Sequence, residues 1–600
     1  MTRSHWLHTV FGALAGAGFW GVVEVLDRPG TADFWPGLVV FVLALSGAAL
    51  AMLGEFGPRR ALLAGGAIAA VAAGLVLWES RGYTPPAAVF ESGHAFLAVL
   101  IVASLPVPFA MTLMRFGSAG WHDYPDLFMD AWGVVVRFAS AALFASLALG
   151  VLFLLGELLS VVGLRFLTEW LREPLISFAA GGAACGMGLA VVYELSDMIS
   201  PVLVLRLLRL LAPVVLLVVV IFVGALPMQG MDHLFGHLST AAVLIPTALG
   251  AISLVSIAVD QDDAEAVQGR FMRWVVRALA LMVPVLGGLL GWAFWLRISE
   301  YGWTPGRMTG AAGAAVICAY GLAYGWAALR GGAWMERIRR ANIVLAMGVV
   351  GLAALWLTPL IAPERIAVTS QLARFAAGKL ELRELPLAEM RFEWGQAGQA
   401  GLEALRAQAG QNPDLAARLA ALEAAETAWD FRRAEDMPQA RSPEARLAWR
   451  GALEVLPAGA DLPEALLEAV LANPSMRELA PEDCAGGDGA QVTGCVLLRA
   501  DLISWLAGEE ALLVIGRSAS YAHNSWLFYL PQGAQWASTQ AGAFEADWPA
   551  PDRLTAPELI AALRAGGFVL EPSGVQQLRI GSTTIVINEG PARNRLKAQE

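Results

Sequence analysis

Long apolar runs recur through the first 362 residues, and they constrain the fold more than any other feature of the chain. A helix needs about 20 mainly apolar residues to cross the hydrocarbon core of a bilayer. Lipid offers backbone groups no hydrogen-bond partners, so runs of this kind must be helical. The sequence therefore predicts a polytopic α-helical membrane bundle with about eleven spans. They lie near residues 6–26, 34–54, 61–79, 87–112, 131–155, 174–196, 203–226, 237–259, 271–296, 308–329 and 341–361.

Composition divides the chain after this bundle. The first 362 residues hold 20 Lys and Arg and 21 Asp and Glu, whereas the rest of the chain holds 21 and 31. An acidic tail does not favour nucleic-acid binding, and it also disfavours docking on anionic lipid. We therefore predict a transmembrane domain over residues 1–362, a juxtamembrane connector over 363–397 and a soluble domain over 398–600.

Arginine is distributed unevenly between the two sets of alternate connections. One set holds about twice as many basic residues as the other, and such loops stay in the cytoplasm. The N-terminus is therefore predicted to be cytoplasmic, and an odd number of spans then places the C-terminal domain in the periplasm. The first apolar run exceeds the core of a signal peptide, about 7–15 residues, so we interpret it as a retained anchor. The basic-rich set contains Arg3, Arg59, Arg60, Arg115, Arg206, Arg209, Arg270, Arg273, Arg277, Arg330, Arg337, Arg339 and Arg340.

Two of the four cysteines lie close together in the soluble tail. Cys484 and Cys495 flank the Gly-rich segment CAGGDGAQVTGC, which can fold back readily. Disulfides persist in oxidising compartments, so this pair is predicted to form a disulfide and agrees with a periplasmic tail. A metal site would need further Cys or His ligands nearby, and two free thiols remain the alternative. Cys185 and Cys318 lie inside apolar runs and are interpreted as packing residues.

The soluble tail changes character along its length. Residues 398–472 place apolar side chains at helical spacing, and Ser442 followed by Pro443 forms a typical helix start. From residue 491 onwards, runs such as CVLLRADL and ALLVIGR predict strands, and the helix APELIAALRAGG interrupts them. We expect an α+β soluble domain in which short helices precede a small antiparallel sheet.

Three segments of the chain resemble a bacterial membrane family when taken together. They are YPDLFMDAW (124–132), RISEYGWTPGR (297–307) and PERIAVTSQLARFAAGKL (363–380), and the second is the most specific. In this order they resemble the family called domain of unknown function 4153, over most of the chain. The resemblance implies a bacterial inner-membrane protein, and it supplies no catalytic residues.

Ionisable groups inside apolar runs are the first candidates for function, since a charge near the centre of a span costs roughly 2.5–3.5 kcal/mol on the insertion scale. Glu91 and His94 lie one turn apart on one helix face, where they could relay a proton or bind a cation. The alternative is contact with water at the outer mouth of the bundle. Asp130 and Arg137 lie two turns apart on one face, which fits either an ion network with another helix or structural pairing.

The RISEYGWTPGR segment is the second candidate site. Arg297, Glu300 and Arg307 are predicted at the outer surface beside Tyr301, whose ring fits an interfacial aromatic belt. Thr304–Pro305 predicts a helix start, with Thr as the cap and Pro at the first helical position. The segment is interpreted either as a ligand site or as a tight helical hairpin that touches the soluble domain.

Other patterns suggest structural roles. The acidic segment VDQDDAEAVQGR (259–270) is interpreted as a solvated loop, although it could attract a cation. GxxxG spacings let helices approach closely, so they predict packing within the chain and also fit contacts within an oligomer. These spacings occur at Gly12 and Gly16, at Gly182 and Gly186, and at Gly321 and Gly325.

Catalytic motifs do not emerge from the sequence. It contains no Walker A, GxGxxG or HExxH pattern, and SYAHNSW (520–526), with His523 and Ser525, lacks a GxSxG elbow. We therefore predict no cofactor and no metal, and we favour a non-enzymatic envelope protein. The leading hypothesis is a scaffold, assembly factor or sensor that lies in the lipid bilayer and presents its soluble domain to an envelope protein partner. A membrane transporter or channel is the alternative, and a lipid-acting membrane enzyme is the third hypothesis.

Overall fold

The computed structural model of the chain contains two compact units, residues 1–422 and 423–600. The predicted connector and the first helices of the predicted soluble domain therefore belong to the helical unit. The structure describes residues 3–586 except 27–32, 195–200, 230–239, 411, 433–442, 474–475, 477–478, 480, 486–491, 503–507, 518–525, 533–534, 540–555, 567, 573–575 and 581–582.

The first unit is helical throughout most of its described residues. Its long helices coincide with the predicted apolar runs, and shorter helices follow the last run. In chain order the helices are α1 (Arg3–Leu26), α2 (Trp35–Glu79), α3 (Gly93–Ser104), α4 (Pro106–Phe116), α5 (Tyr124–Val161), α6 (Phe166–Arg172), α7 (Pro174–Glu194), α8 (Pro201–Arg209), α9 (Ala212–Gln229), α10 (Thr240–Val259), α11 (Arg270–Tyr301), α12 (Pro305–Arg330), α13 (Trp334–Trp356), α14 (Pro363–Ala376), α15 (Leu387–Phe392), α16 (Gly395–Ala409) and α17 (Pro413–Ala424).

Ten helices among the described residues are long and apolar enough to cross a membrane. Their outward faces carry large apolar side chains that are mostly exposed, such as Leu147, Leu154 and Leu158 of α5. A soluble protein rarely exposes a continuous apolar surface of this kind. The predicted helical architecture is confirmed, and each predicted apolar run overlaps one of these ten helices.

Helix α2 explains why eleven runs correspond to ten helices. Gly57 has φ +73° and ψ 169°, outside the helical region, and glycine adopts such a conformation readily. The segments on either side of it pack against each other. A Cβ added to Gly37 would lie 2.3 Å from Leu77 Cγ, and one added to Gly65 would lie 3.2 Å from the backbone nitrogen of Ala49. Helix α2 is therefore a hairpin of two antiparallel segments.

Glycines allow α1 and α7 to cross closely. A Cβ added to Gly12 would lie 2.1 Å from the carbonyl oxygen of Gly182, and one added to Gly186 would lie 2.1 Å from the carbonyl oxygen of His8. The contacts run in opposite chain directions, so the two helices are antiparallel. The predicted close packing of GxxxG segments within the chain is confirmed for this pair.

One end of the helical bundle is covered by α14, and we call it the α14 end. The hydroxyl of Tyr83, in the α2–α3 connection, donates to Glu364 of α14 at 2.6 Å. The backbone N–H of Trp303, in the α11–α12 connection, donates to the hydroxyl of Ser370 of α14 at 3.0 Å. Alternate connections of the chain therefore meet at this end.

Other described connections have contacts at the opposite end, which we call the arginine end. Arg115, at the end of α4, contacts Glu55 of α2 at 2.8 Å. Arg209 of α8 contacts Asp260, directly after α10. Arg339, near the start of α13, donates to the carbonyl oxygen of Asp260 at 3.1 Å. This alternation requires the chain to reverse within α2, as its hairpin does.

The second unit combines short helices with two small sheets. The predicted antiparallel sheet is wrong in one respect, since β1 pairs in parallel with β2. The chain between these strands is long enough for the crossover that a parallel pair requires. The first sheet has the order β1-β2-β3-β4-β5, and the second has the order β6-β7-β8. The elements are α18 (Pro443–Ala452), β1 (Glu454–Leu456), α19 (Glu464–Leu471), α20 (Pro481–Ala485), β2 (Val492–Ala500), β3 (Glu510–Arg517), β4 (Trp526–Gln532), β5 (Gln535–Thr539), α21 (Ala556–Arg564), β6 (Phe568–Pro572), β7 (Gln576–Ile580) and β8 (Thr583–Val586).

The predicted disulfide is present in the second unit. It joins Cys484 of α20 to Cys495 of β2, with 4.7 Å between the two Cα atoms. Both cysteines are buried in the apolar core of this unit, together with Leu497 and Leu513 of the sheet. The bond therefore fastens a short helix to the strand on which the core is built.

Candidate functional site

A cavity of about 1020 Å³ opens at the α14 end of the helical unit. Its walls come from α3, α10, α12 and α13, and its rim comes from α14 and the chain that leads to α16. Cavities of about 300–1,000 Å³ hold drug-sized ligands, so this one has room for a lipid-sized molecule. It is our candidate functional site.

The deep wall of the cavity is apolar. It includes Leu97 of α3, Leu249 of α10, Ile317 of α12 and Val349 of α13. Ile317 lies 12 residues after the first residue of α12, which corresponds to about 18 Å along the helix. Leu97 and Leu249 are 46% and 47% exposed, so packing within the bundle leaves these two lining side chains accessible.

Ionisable side chains gather at the mouth of the cavity. Glu364 accepts a hydrogen bond from the Tyr83 hydroxyl at 2.6 Å, and the same carboxylate oxygen lies 2.8 Å from Nε2 of His94. The indole nitrogen of Trp356 donates to Nδ1 of His94 at 3.2 Å. Glu364 is only 7% exposed. These contacts join α3, α13 and α14 with the α2–α3 connection.

The partners of His94 determine its tautomer. An indole N–H can only donate, so Nδ1 of His94 accepts from Trp356 and the ring proton lies on Nε2. That N–H then donates to Glu364. Both ring nitrogens of His94 are therefore engaged, and the two hydrogen bonds hold the imidazole in place at the cavity mouth.

Burial and hydrogen bonding act in opposite directions on the pKa of Glu364. Burial alone would raise this pKa, but hydrogen bonds from His94 and Tyr83 outweigh it and hold the pKa below its usual value of 4.5. Burial, together with the neighbouring carboxylate, raises the pKa of Tyr83. At neutral pH, Glu364 is therefore an anion that accepts from a neutral phenol.

The α11–α12 connection is held against α14. The side-chain amide of Gln371 donates to the carbonyl oxygens of Tyr301 and Trp303, at 3.1 and 2.8 Å. Gly302 has φ +74°, and a Cβ there would lie 2.5 Å from Cδ of Arg374. A residue with a side chain would therefore be strained at this position. The predicted helical hairpin thus contacts α14, which belongs to the same unit.

Arg307 is directed into this connection. Its Nη1 donates to the carbonyl oxygens of Tyr301 and Gly302, at 2.9 Å each. Its guanidinium carbon lies 5.5 Å from the centre of the Tyr301 ring. The hydroxyl of Thr304 accepts from the backbone N–H of Arg307 at 3.3 Å, so the predicted helix start is confirmed.

The cavity brings together residues from two predicted sites. Glu91 and His94, from the first candidate pair, both line it. Tyr301 and Arg307, from the outer-loop site, line it as well. Glu91 and Tyr301 lie 210 positions apart in the sequence, yet both line the same cavity.

Two other outer-loop candidates are not among the residues that line the cavity. The guanidinium of Arg297 lies 6.0 Å from the centre of the Tyr301 ring. The backbone carbonyl of Glu300 accepts a hydrogen bond from Arg374 of α14. Both residues therefore support the connection from its outer side.

Asp130 and Arg137 have different partners. Asp130 accepts from Nη2 and Nη1 of Arg115, at 3.1 and 3.3 Å, and Arg115 also contacts Glu55. The guanidinium of Arg137 lies 4.8 Å from the centre of the Tyr193 ring. Asp130 therefore belongs to an ion network that joins α2, α4 and α5, whereas Arg137 packs against an aromatic ring of α7.

The acidic loop after α10 requires a correction. Asp260 is only 3% exposed and contacts Arg209. Arg339 donates to the carbonyl oxygens of Asp260 and Val259, at 3.1 and 2.8 Å. Asp263, which contacts Arg339 at 2.8 Å, is exposed. The interpretation of a solvated loop is therefore wrong for Asp260. The last carbonyl groups of α10 need donors, and the arginines that approach this helix end also bury Asp260.

A second polar group lies inside the bundle, and we call it the Asn342 cluster. The side-chain amide of Asn342 donates to the Tyr124 hydroxyl at 3.0 Å and to the Ser256 hydroxyl at 3.1 Å. The hydroxyl of Tyr324 donates to the amide oxygen of Asn342 at 2.5 Å. These hydrogen bonds join α5, α10, α12 and α13.

The Asn342 cluster lies below the deep wall of the cavity, towards the arginine end. On three helices, a cluster residue and a wall residue are seven positions apart, which corresponds to two turns and about 10 Å on the same face. The pairs are Leu249 and Ser256, Ile317 and Tyr324, and Val349 and Asn342.

Sequence reasoning did not single out Tyr83, Trp356 and Glu364, which take part in the contacts around His94 at the cavity mouth. A signal for Glu364 exists, because this acidic residue follows Pro363 at the point where the last apolar run ends. Tyr83 and Trp356 carry no comparable signal, since aromatic residues are common at the ends of membrane helices. Their role depends on the pairing of distant segments.

Within the described residues, no group of three or more His, Cys, Asp or Glu side chains is placed to hold a metal ion. His523 and Ser525 of the SYAHNSW segment lie outside the described residues. No protein-family model matches this chain, and neither a curated protein nor a solved structure matches it.

Proposed function

We propose that this protein is an integral membrane protein of the bacterial cell envelope that binds an amphipathic molecule at its α14 end and acts as a sensor or assembly factor. The cavity is the observation that supports this function most strongly. It combines an apolar wall about 18 Å deep with an ionisable mouth, which complements a hydrocarbon chain and a polar head group.

The proposed topology has eleven membrane crossings and a cytoplasmic N-terminus. The α2 hairpin supports eleven crossings, because it divides one of the ten long helices in two. Arg115, Arg209 and Arg339 lie at one end of the bundle, and basic residues favour the cytoplasmic side. The α14 end would then face the periplasm. The disulfide between Cys484 and Cys495 supports an oxidising compartment for the second unit.

The envelope assignment has further support from the sequence. The segments that resemble the family called domain of unknown function 4153 imply a bacterial inner membrane. One of them, RISEYGWTPGR, forms the α11–α12 connection beside the cavity, and another begins α14. The second unit would present a surface to an envelope protein partner, as the leading sequence hypothesis holds.

Transport is the second candidate function. The Asn342 cluster favours it, because this polar group lies two turns below the apolar wall on the same helices. Opening of the cluster would extend the cavity towards the arginine end. Reconstituted protein that moves an amphiphile between two leaflets, and loses this activity in Asn342→Leu, would favour transport over sensing.

A cavity-filling variant tests the proposed binding function. Val349→Trp places a large ring in the apolar wall, whereas Val344→Trp changes a side chain of the same helix that is 69% exposed and does not line the cavity. Full-length protein purified in mild detergent would be examined by native mass spectrometry for retained amphiphiles. We expect the wild type and Val344→Trp to retain the same molecule and Val349→Trp to lose it. Equal retention in all three proteins would contradict cavity binding.

A further inference from the structure

Acidic side chains outnumber basic ones among the described residues that line the cavity. Among the described residues that line it, five are glutamates and one is an arginine. That arginine, Arg307, directs one guanidinium nitrogen to two carbonyl oxygens of the α11–α12 connection. A partly enclosed volume with this excess of carboxylates attracts cations and repels anions. The carboxylates belong to Glu91, Glu364, Glu384, Glu389 and Glu393.

The innermost carboxylate keeps its charge. Glu364 accepts hydrogen bonds from the Tyr83 hydroxyl and from His94. Trp356 donates to Nδ1 of His94, so the hydrogen bond from His94 to Glu364 comes from Nε2. A cationic group at the mouth would therefore find a fixed anion beside the apolar wall.

Two indole rings also belong to the cavity lining. Trp356 and Trp394 both line the cavity, and both are buried. Aromatic faces attract organic cations, and tryptophan does so most strongly. Carboxylates and indoles together are suited to an ammonium group, whereas a carboxylate or phosphate head group would be repelled.

We infer that the cavity selects an amphiphile whose head group carries a protonated amine and whose hydrocarbon chain packs along the wall formed by α10, α12 and α13. This inference rests on the proposed binding function and adds the chemical class of the head group. An amine-bearing membrane lipid and a soluble long-chain amine share this chemistry. Their head groups would contact the mouth, and their chains would contact Leu249, Ile317 and Val349.

Binding of three probes with equal chain length tests the head-group preference. Full-length protein in phosphatidylcholine nanodiscs would be titrated with a long-chain alkylamine, the corresponding alcohol and the corresponding fatty acid. Thermal stabilisation would report binding, and Val349→Trp would correct for partition into lipid. We expect the amine to bind most tightly and the fatty acid most weakly.

Charge-neutral variants sharpen the test. The double variant Glu91→Gln and Glu384→Gln should weaken amine binding about tenfold and leave alcohol binding unchanged, because two exposed charges of the cavity lining are removed. Glu403→Gln, an exposed residue of α16 outside the cavity lining, should leave amine binding unchanged.

The outcomes separate the head-group inference from the proposed function. Equal binding of the three probes, lost in Val349→Trp, would overturn the amine preference and leave cavity binding standing. Absence of any binding that Val349→Trp removes would overturn both. Nanodiscs that contain an amine-bearing phospholipid distinguish the two sources, because such a lipid would compete with the alkylamine only if it occupies the cavity.

Discussion

The two ends of the helical unit use polar side chains in opposite ways. At the arginine end, Arg209 and Arg339 contact Asp260 and the last carbonyls of α10, so that charge closes the ends of helices. At the α14 end, Glu364 and His94 surround the mouth of a cavity. Ionisable residues therefore close the bundle at one end and line an accessible volume at the other.

This comparison indicates where function is to be sought. An arginine that donates to the last carbonyl groups of a helix already has a structural role, because buried backbone groups must be hydrogen-bonded. Polar side chains that line a large cavity are, in addition, accessible to a ligand inside it. The α14 end is therefore the stronger candidate, although both ends contain buried charges. Four substitutions test the contrast, in order of decreasing effect.

Loss of Asp260 should have the largest effect on stability. Asp260→Ala would leave Arg209 buried without its carboxylate, and we expect the free energy of unfolding to fall by about 3–5 kcal/mol. Asp263→Ala, in the same loop, removes an exposed partner of Arg339 and should cost about 1 kcal/mol or less. Unfolding in detergent micelles would measure both. Equal effects would contradict the structural role of Asp260.

Loss of Glu364 should reduce stability at the α14 end. Glu364→Ala leaves the buried donors of Tyr83 and His94 without their acceptor, at a cost of about 1–3 kcal/mol. The pKa of Glu364 is lower in the folded protein than its usual value of 4.5. Its contribution is therefore complete above about pH 4.5 and is lost as the pH falls below that value.

The pH dependence provides the check on Glu364. Unfolding of the wild type and of Glu364→Gln would be compared between neutral and acidic pH. We expect the wild type to lose more stability than the variant below about pH 4.5. Parallel profiles would show that the carboxylate contributes no stability through its ionised form.

Loss of the Asn342 amide should have a smaller effect on stability. Asn342→Leu removes the partner of the Tyr324 and Tyr124 hydroxyls, which should cost about 1–2 kcal/mol. The binding of an alkylamine should not change, because the cluster lies two turns below the cavity wall. Thermal unfolding with and without the amine would measure both quantities. A lost binding response in a folded variant would show that the cluster belongs to the binding site.

Arg137 should matter least of the four. Its guanidinium packs against the Tyr193 ring, and such a contact contributes about 0.5–1 kcal/mol at a partly exposed site. Arg137→Leu should lower the free energy of unfolding by that amount, whereas Asp130→Leu should cost more because it leaves Arg115 with fewer partners. Equal losses of unfolding free energy in the two variants would contradict the assignment of Asp130 and Arg137 to different contacts.

The sequence predicted the helical architecture because membrane-spanning segments can be recognised by their length and apolar composition. It also predicted the disulfide and the helix start at Thr304, which depend on neighbouring residues. The α2 hairpin was implicit in two separate apolar runs, although Gly57 leaves the helix only briefly. Local chemistry and local composition were sufficient for these features.

The cavity required information that the sequence does not display. Glu364 meets Tyr83 and His94 across more than 260 positions, and no local pattern encodes such a pairing. Spacing along one helix was also misleading, since Asp130 and Arg137 share a face but take partners from different helices. The parallel pairing of β1 was missed because three residues are too short to show a strand pattern.

Accessibility of the cavity from one side of the membrane is the most direct test of the contrast between the two ends. In a background of Cys185→Ala and Cys318→Ala, Leu352→Cys places a thiol in the cavity and Ser256→Cys places one in the Asn342 cluster. We expect a membrane-impermeant thiol reagent added from the periplasmic side to label Leu352→Cys, and a bound long-chain amine to protect it, while Ser256→Cys stays unlabelled. Labelling of Leu352→Cys only from the cytoplasmic side, or from neither side, would contradict an open α14 end.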